Sequence, residues 1–171
     1  MSPLIWLTTA ALLLTVQHPA MPKGMSHEEH LKQMEKDEAL KKRGAKAMGF
    51  DQDATTPHYR LTPTGGEIEV TVHDDEVESV VAAVRTHLRT IASEFARGQF
   101  DKPFETHGEV PPGVRVMRKN SRLVSYRYVD VPRGGVVRIE TTNARTRDAV
   151  HDFLRYQIAE HRTGDPLALK R

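Results

Sequence analysis

The sequence predicts an α+β fold, a two-layer body in which a mostly antiparallel sheet carries two helices on one face. A charged N-terminal helix precedes this body. Residues 67–72 alternate polar and apolar side chains, as a strand with one buried face does. Residues 77–95 and 150–158 instead repeat apolar side chains at helical spacing. Each helix has a single apolar stripe, so both can cover the same face of one sheet.

The composition excludes several classes of function. The chain has 171 residues, no cysteine, and 25 Lys and Arg against 23 Asp and Glu. Its length predicts one domain and a tail. The absence of cysteine excludes disulfides, thiolate metal sites, iron–sulfur clusters and a cysteine nucleophile. The formal charge of +2 is not the basic surface of a nucleic-acid-binding protein, so we expect no nucleic-acid partner.

The first 20 residues have the composition of a secretory leader. Residues 1–20 contain no charged side chain, and residues 4–16 form a mostly apolar run. A membrane-spanning helix needs about 20 apolar residues, whereas a shorter run suits the apolar region of a signal peptide. We therefore expect residues 1–20 to be a signal peptide, and the mature protein to be periplasmic or secreted with no membrane span. Two alternatives stay open: an uncleaved anchor, or translation from Met21 or Met25 and a cytoplasmic protein.

Residues 21–57 predict a charged helix followed by a linker. Ser26 is a good N-cap and Glu29, three residues later, completes a capping box. Acidic side chains lie early in this helix and basic ones late, which complements the helix dipole. Its apolar stripe is thin, so we expect a solvated helix that either docks loosely, with an unidentified protein as a candidate partner, or serves as a spacer. Residues 49–57 read as a linker, which places the α+β domain at residues 58–171.

The charged helix also holds a group of candidate metal ligands. His27, His30 and Met34 follow at i, i+3 and i+7 and therefore share one helical face. Imidazole and thioether together suit copper. The alternative is that the methionine fills a gap in packing and the histidines are solvated.

The α+β domain begins with a predicted hairpin, in which residues 58–61 and 67–72 flank a turn rich in Pro and Gly. A helix capped by Asp74 or Asp75 then runs to about Arg97. The Gly- and Pro-rich residues 99–113 predict a long loop. The order is β-β-α-β-β-β-α, and its remaining elements are a short strand at residues 114–117, strands at residues 123–129 and 136–141, and a helix that Thr142 or Asn143 caps and that ends near His161.

Histidine side chains are the candidate metal-binding or catalytic groups of this domain. The sequence contains no phosphate-binding loop, dinucleotide-binding motif, nucleophile elbow or H-E-x-x-H. A zinc or copper site built from His58, His107 and His151 is expected if the fold brings them together. The alternative is that each is a surface or edge histidine.

Two further histidines have predicted structural roles, and one loop is a candidate ligand site. His87 flanks an apolar stripe and should pack at the edge of the core, while His161 should be an imidazolium at the negative end of a helix dipole. The loop around His107 also carries Glu105 and Glu109, and long ordered loops often carry function. We therefore expect these three side chains to bind a ligand.

Six short segments, taken together, form a recognisable sequence pattern. They are residues 48–52 (MGFDQ), 54–59 (ATTPHY), 106–108 (THG), 111–114 (PPGV), 151–158 (HDFLRYQI) and 161–165 (HRTGD). Together they resemble an uncharacterised family of small bacterial exported proteins that has no established activity. The resemblance covers nearly the whole mature chain and implies a bacterial source and export. That family has two adjacent histidines where this chain has Pro57 and His58, which removes one imidazole from a metal site at that point.

Three functions are consistent with these patterns. The first is an exported domain that binds a transition metal or small ligand through histidines. The second is a structural or protein-interaction domain without catalytic activity. The third is a small His-dependent hydrolase or lyase, which ranks last because no second catalytic group is evident.

Overall fold

A computed structural model describes residues 24–169, so the predicted signal peptide lies outside the described residues. The chain forms two compact units that divide between Glu35 and Lys36. The helices are α1 (His27–Met48), α2 (Glu78–Ala96), α3 (Asp101–His107), α4 (Val114–Lys119) and α5 (Ala144–His161), and the strands are β1 (Thr55–Thr62), β2 (Gly65–Val72), β3 (Ser125–Val131) and β4 (Gly134–Glu140).

The first unit contains the start of α1 and the predicted capping box. The Glu29 carboxylate accepts hydrogen bonds from the Ser26 backbone N–H at 2.8 Å and the Ser26 hydroxyl at 2.7 Å. The Ser26 hydroxyl in turn accepts the Glu29 N–H at 3.2 Å. These bonds, that from the Ser26 backbone first, lower the pKa of Glu29. The capping box is thus confirmed.

The second unit is built on an antiparallel sheet with the strand order β1-β2-β4-β3. Ile68 lies opposite Tyr59 on one side and Val137 on the other, so these side chains share a face. In β2 the apolar side chains are buried and the polar side chains between them are half-buried, as the alternation predicted. The α+β fold with a two-layer, antiparallel sheet is therefore confirmed.

Helices α2 and α5 form the second layer and bury their apolar stripes in the core that they share with the sheet. The rings of Phe95 on α2 and Phe153 on α5 meet edge to face, with centroids 6.0 Å apart. Fully burying one such side chain stabilises the fold by ~1.5–3 kcal/mol. The two stripes therefore supply much of the core. No helix within residues 24–169 is long and apolar enough to span a membrane.

The segment between α2 and β3 differs from its prediction. The predicted strand at residues 114–117 is wrong, because this segment is helix α4, and the described residues accordingly contain four strands rather than five. Gly113 precedes α4 in the left-handed region (φ 78°), where a Cβ would collide with the Ala149 carbonyl. Val114 and Met117, one turn apart, are both buried. The predicted loop at residues 99–113 contains the short helix α3.

Several predicted boundaries also shift, among them the starts of α2 and β1. Helix α2 begins at Glu78 after Val77, which makes no side-chain cap, so the predicted cap at Asp74 or Asp75 is wrong. Strand β1 begins at Thr55, inside the predicted linker, because Thr55 already pairs with the end of β2. The predicted Asn143 cap of α5 is confirmed, since its side chain accepts the Thr146 N–H at 2.9 Å.

Candidate functional site

A cavity of about 70 Å³ lies in the second unit, between the sheet and helices α2, α3 and α5. Most of its wall is apolar and includes Ile68, Val70 and Phe95. The wall contains no carboxylate among the described residues. Its titratable or amide-bearing side chains, apart from the Tyr59 phenol, are His87, Lys102, His107, Gln157 and His161.

The short helix α3 positions His107 in this wall. Gly108 ends the helix in the left-handed region (φ 75°), and its N–H bonds to the Phe104 carbonyl at 2.7 Å. Arg43 of α1 donates to the Thr106 carbonyl at 3.0 Å and, at 3.4 Å, to the His107 carbonyl. The last carbonyls of a helix have no partner within the helix and attract a cation. Arg43 thus holds the end of α3, and with it His107, in place.

His107 forms a nearly buried pair with Gln157 of α5. Nε2 of His107 lies 3.1 Å from Oε1 of Gln157, and the two residues are 9% and 4% exposed. Because this amide oxygen can only accept, the assigned geometry puts the proton on Nε2 and leaves Nδ1 of the neutral ring as an acceptor. Neither His107 Nδ1 nor Gln157 Nε2 has a hydrogen-bond partner among the described residues. Such unpaired buried groups cost about 1–3 kcal/mol each, so both atoms are suited to receive a polar group in the cavity.

The imidazoles of the cavity are neutral at pH 7. Burial lowers the pKa of His87 to about 4, and the charge of Lys102 adds to that effect. Burial, followed by the neighbouring His107, lowers the pKa of His161 to about 4. Burial also lowers the pKa of His107, although its bond to Gln157 acts in the opposite direction. The predicted imidazolium at His161 is therefore wrong, because desolvation outweighs the helix dipole.

The predicted ligand set of Glu105, His107 and Glu109 is only partly brought together. The ring of His107 lies against Tyr156, with centroids 5.0 Å apart, and the Tyr156 hydroxyl donates to the Glu109 carboxylate at 2.7 Å. Glu109 thus reaches His107 through a tyrosine. Glu105 is exposed on α3 and does not belong to the cavity wall.

The structure does not bring His58, His107 and His151 together as a set of metal ligands. Each imidazole has a hydrogen-bond partner of its own: His58 the Asp165 carboxylate at 2.9 Å, His107 the Gln157 amide oxygen at 3.1 Å, and His151 the Thr62 carbonyl at 2.9 Å. Within residues 24–169 no group of three or more His, Asp or Glu side chains is arranged to hold a metal ion. Zinc or copper bound by these three histidines is therefore not supported.

The second predicted metal set lies in the first unit. His27 is exposed, and His30 and Met34 are half-buried. Copper binding by this imidazole and thioether set stays a prediction.

A surface groove adjoins the cavity. Met48, His87 and Lys102 line both, so these side chains form the boundary between them. His87 packs edge to face on Phe50, with centroids 5.6 Å apart, which confirms its predicted place at the edge of the core.

Gln157 was not expected from the sequence, although a signal for it existed. It follows Leu154 by three residues and precedes Ile158, so it lies on the buried stripe of α5. A polar side chain on such a stripe needs a hydrogen-bond partner. That requirement points to another polar core residue, which the fold supplies as His107.

No protein-family model, curated protein or solved structure matches this chain. The chemistry of the cavity therefore carries the functional inference.

Proposed function

We propose that this chain is an exported binding domain, whose cavity takes a small, mainly apolar molecule and holds its polar group at His107 and Gln157. One observation carries the proposal: an apolar cavity contains two nearly buried polar atoms, His107 Nδ1 and Gln157 Nε2, that have no partner among the described residues. Binding sites for small molecules are typically apolar, with a few polar groups that fix orientation.

The cavity volume limits the ligand. An apolar cavity of about 150 Å³ can hold benzene, so about 70 Å³ accommodates roughly three carbon atoms. A longer molecule would extend past His87 and Lys102 into the groove. The unpaired acceptor on His107 and the unpaired donor on Gln157 suit a group such as a hydroxyl, which can both donate and accept.

Binding is better supported than catalysis. A general base works best when its pKa is near the operating pH, whereas His87 and His161 have pKa values of about 4. The described wall also contains no carboxylate that could assist His107. A His-dependent hydrolase or lyase and a pure interaction domain stay as alternatives.

The export part of the proposal rests on the apolar residues 4–16 and on the resemblance to small bacterial exported proteins. Intact mass measurement of the protein from its native compartment tests it. A mature chain that begins after Ala20 supports export, and a cytoplasmic chain that retains residues 1–20 contradicts it.

Nuclear magnetic resonance titration with 1-butanol tests the binding function. We expect saturable shifts of the His107 ring and of the Val70 methyl groups. The Ile91→Phe variant fills the cavity and should abolish these shifts, and its spectrum shows whether it folds. The matched variant Val110→Phe adds the same ring at an exposed position and should bind normally. Shifts that do not saturate, or that persist in Ile91→Phe, would overturn the proposal.

A further inference from the structure

The charged side chains that line the cavity and its groove are all of one sign. The cavity wall contains one ammonium, that of Lys102, and the groove adds Lys46, whereas neither lining includes an Asp or Glu among the described residues. The lysines that form ion pairs in the described part of the chain are Lys32, Lys36 and Lys41. Lys102 therefore has a charge that no carboxylate of residues 24–169 neutralises by direct contact.

The charge of Lys102 also acts on one side chain of the cavity wall, that of His87. It lowers the pKa of His87, second to the effect of burial. Charges interact more strongly in a partly desolvated site than in water, so an anion that enters the cavity gains from this ammonium. A neutral ligand would leave it uncompensated.

We propose that the ligand of this cavity is a short-chain carboxylate, an inference that rests on the proposed binding function. One carboxylate oxygen accepts a hydrogen bond from Gln157 Nε2, and the other accepts one from His107 Nδ1. The aliphatic chain lies against the apolar wall near Ile68 and Val70. Lys102 supplies the balancing charge at the boundary with the groove.

This binding mode requires one proton from solvent. A carboxylate can only accept, and His107 Nδ1 is an acceptor in the neutral ring, so His107 must be protonated when the anion binds. The imidazolium then donates Nε2–H to Gln157 and Nδ1–H to the ligand, and no covalent bond forms or breaks. An adjacent anion favours the charged imidazole and opposes the effect of burial.

The charged groups around His107 are consistent with the uptake of a proton by its ring. Glu160 and Glu109 raise the pKa of His107, whereas burial and Arg43 lower it. In the free protein burial prevails, and the charge of the bound carboxylate adds to the two glutamates. The titratable or charged groups on the surrounding elements are Arg43 on α1, His87 on α2, Lys102 on α3, Glu109 after α3, Tyr59 on β1, and Tyr156, Glu160 and His161 on α5.

Calorimetric titration with sodium butyrate and with 1-butanol tests the inference. Two buffers that differ in ionisation enthalpy give the number of protons taken up. We expect butyrate to bind with the uptake of about one proton at pH 7, and its affinity to fall about tenfold per pH unit as the pH rises. Butanol should bind without proton uptake and without pH dependence.

Variants of Lys102 and His107 test the role of each residue separately. Lys102→Met should weaken butyrate binding about tenfold and leave butanol binding unchanged, whereas the exposed control Lys119→Met should alter neither. His107→Gln keeps a polar side chain that cannot titrate and should remove the proton uptake.

Each outcome is decisive. Butanol binding without butyrate binding, or butyrate binding that ignores Lys102→Met and takes up no proton, overturns the carboxylate inference and leaves the proposed function standing. If neither compound binds, the proposed function fails as well.

Discussion

The imidazole rings of His107 and His161 meet edge to face, with centroids 5.2 Å apart and planes at 73°. His107 reaches this position from the end of α3, and His161 from the last turn of α5. A proton on one ring disfavours a proton on the other, and burial disfavours both. The two rings therefore form a neutral, polar part of an otherwise apolar wall.

Stability should fall as the pH decreases from about 6.5 to about 4. His87 and His161 have folded pKa values of about 4 against an ordinary 6.5, so the unfolded chain binds more protons in this window. Stability then rises with pH, and each imidazole contributes ~3 kcal/mol that is present above the window and lost below it. Urea unfolding at pH 7 and pH 4.5 measures the loss.

Carboxylates also respond to acid, so the comparison needs variants. His161→Gln should reduce the difference between the two pH values, and the exposed His73→Gln should leave it unchanged. An equal loss of stability in wild type and His161→Gln would show that His161 titrates normally in the folded protein.

Arg43→Gln should loosen α3. The guanidinium bonds to the Thr106 and His107 carbonyls are charge-assisted and partly buried, and bonds of this kind contribute about 1.5–3 kcal/mol. We expect faster amide hydrogen exchange in α3 and a loss of about 1–2 kcal/mol in the free energy of unfolding. The exposed neighbour in Lys42→Gln is the control, and unchanged exchange in α3 of Arg43→Gln would contradict the assigned role.

Asp165→Asn should release the C-terminal segment from β1. The Asp165 carboxylate accepts the Tyr59 N–H at 2.9 Å, the Thr163 hydroxyl at 2.7 Å and His58 Nδ1 at 2.9 Å. Burial opposes its ionisation, but these hydrogen bonds outweigh burial and lower its pKa. We expect a loss of about 1–2 kcal/mol on substitution.

The same pair fixes the tautomer of His58, because a carboxylate acceptor places the proton on Nδ1. Nitrogen chemical shifts of the ring should show this tautomer in wild type and a mixture in Asp165→Asn. Asp152→Asn, which changes an exposed carboxylate, should retain the wild-type pattern. A ring protonated on Nε2 in wild type would refute the assignment.

Tyr126→Phe should leave stability unchanged or raise it. The Tyr126 hydroxyl is buried without a hydrogen-bond partner among the described residues, and burial raises its pKa. Removing an unpaired buried polar group relieves a desolvation cost of about 1–3 kcal/mol. Thermal unfolding measures the effect. The control Tyr128→Phe removes a 2.7 Å hydrogen bond to Asp130 and should not stabilise the protein. A clear loss of stability in Tyr126→Phe would contradict the prediction, because it would indicate a hydrogen-bond partner for the Tyr126 hydroxyl.

The elements that could be predicted are those with a local cause. The alternation in residues 67–72, the capping box of Ser26 and Glu29, and the Asn143 cap depend on side chains within a few positions of one another. Steric and hydrogen-bonding preferences at that range act in the same way in any fold. The two apolar stripes then require a sheet face to cover, which is why the fold class follows from the sequence.

The incorrect strand prediction at residues 114–117 shows that local sequence preferences do not decide the structure of this segment. A run with the valines Val114 and Val116 suits a strand by propensity, but tertiary packing overrode that preference. The left-handed Gly113 brings the chain against the Ala149 carbonyl, and from there Val114 and Met117 bury one face of a helix. Propensity is a weak prior against such packing.

The sequence by itself determined the fold class, the absence of thiol chemistry and the choice of histidines as the candidate functional groups. Only the tertiary structure decided which imidazoles meet. It kept His58, His107 and His151 on separate partners and brought His107 to Gln157 and His161, because hydrogen bonds between buried groups depend on long-range packing rather than spacing along the chain. The neutral state of the cavity imidazoles has the same origin, since burial is a property of the folded chain alone.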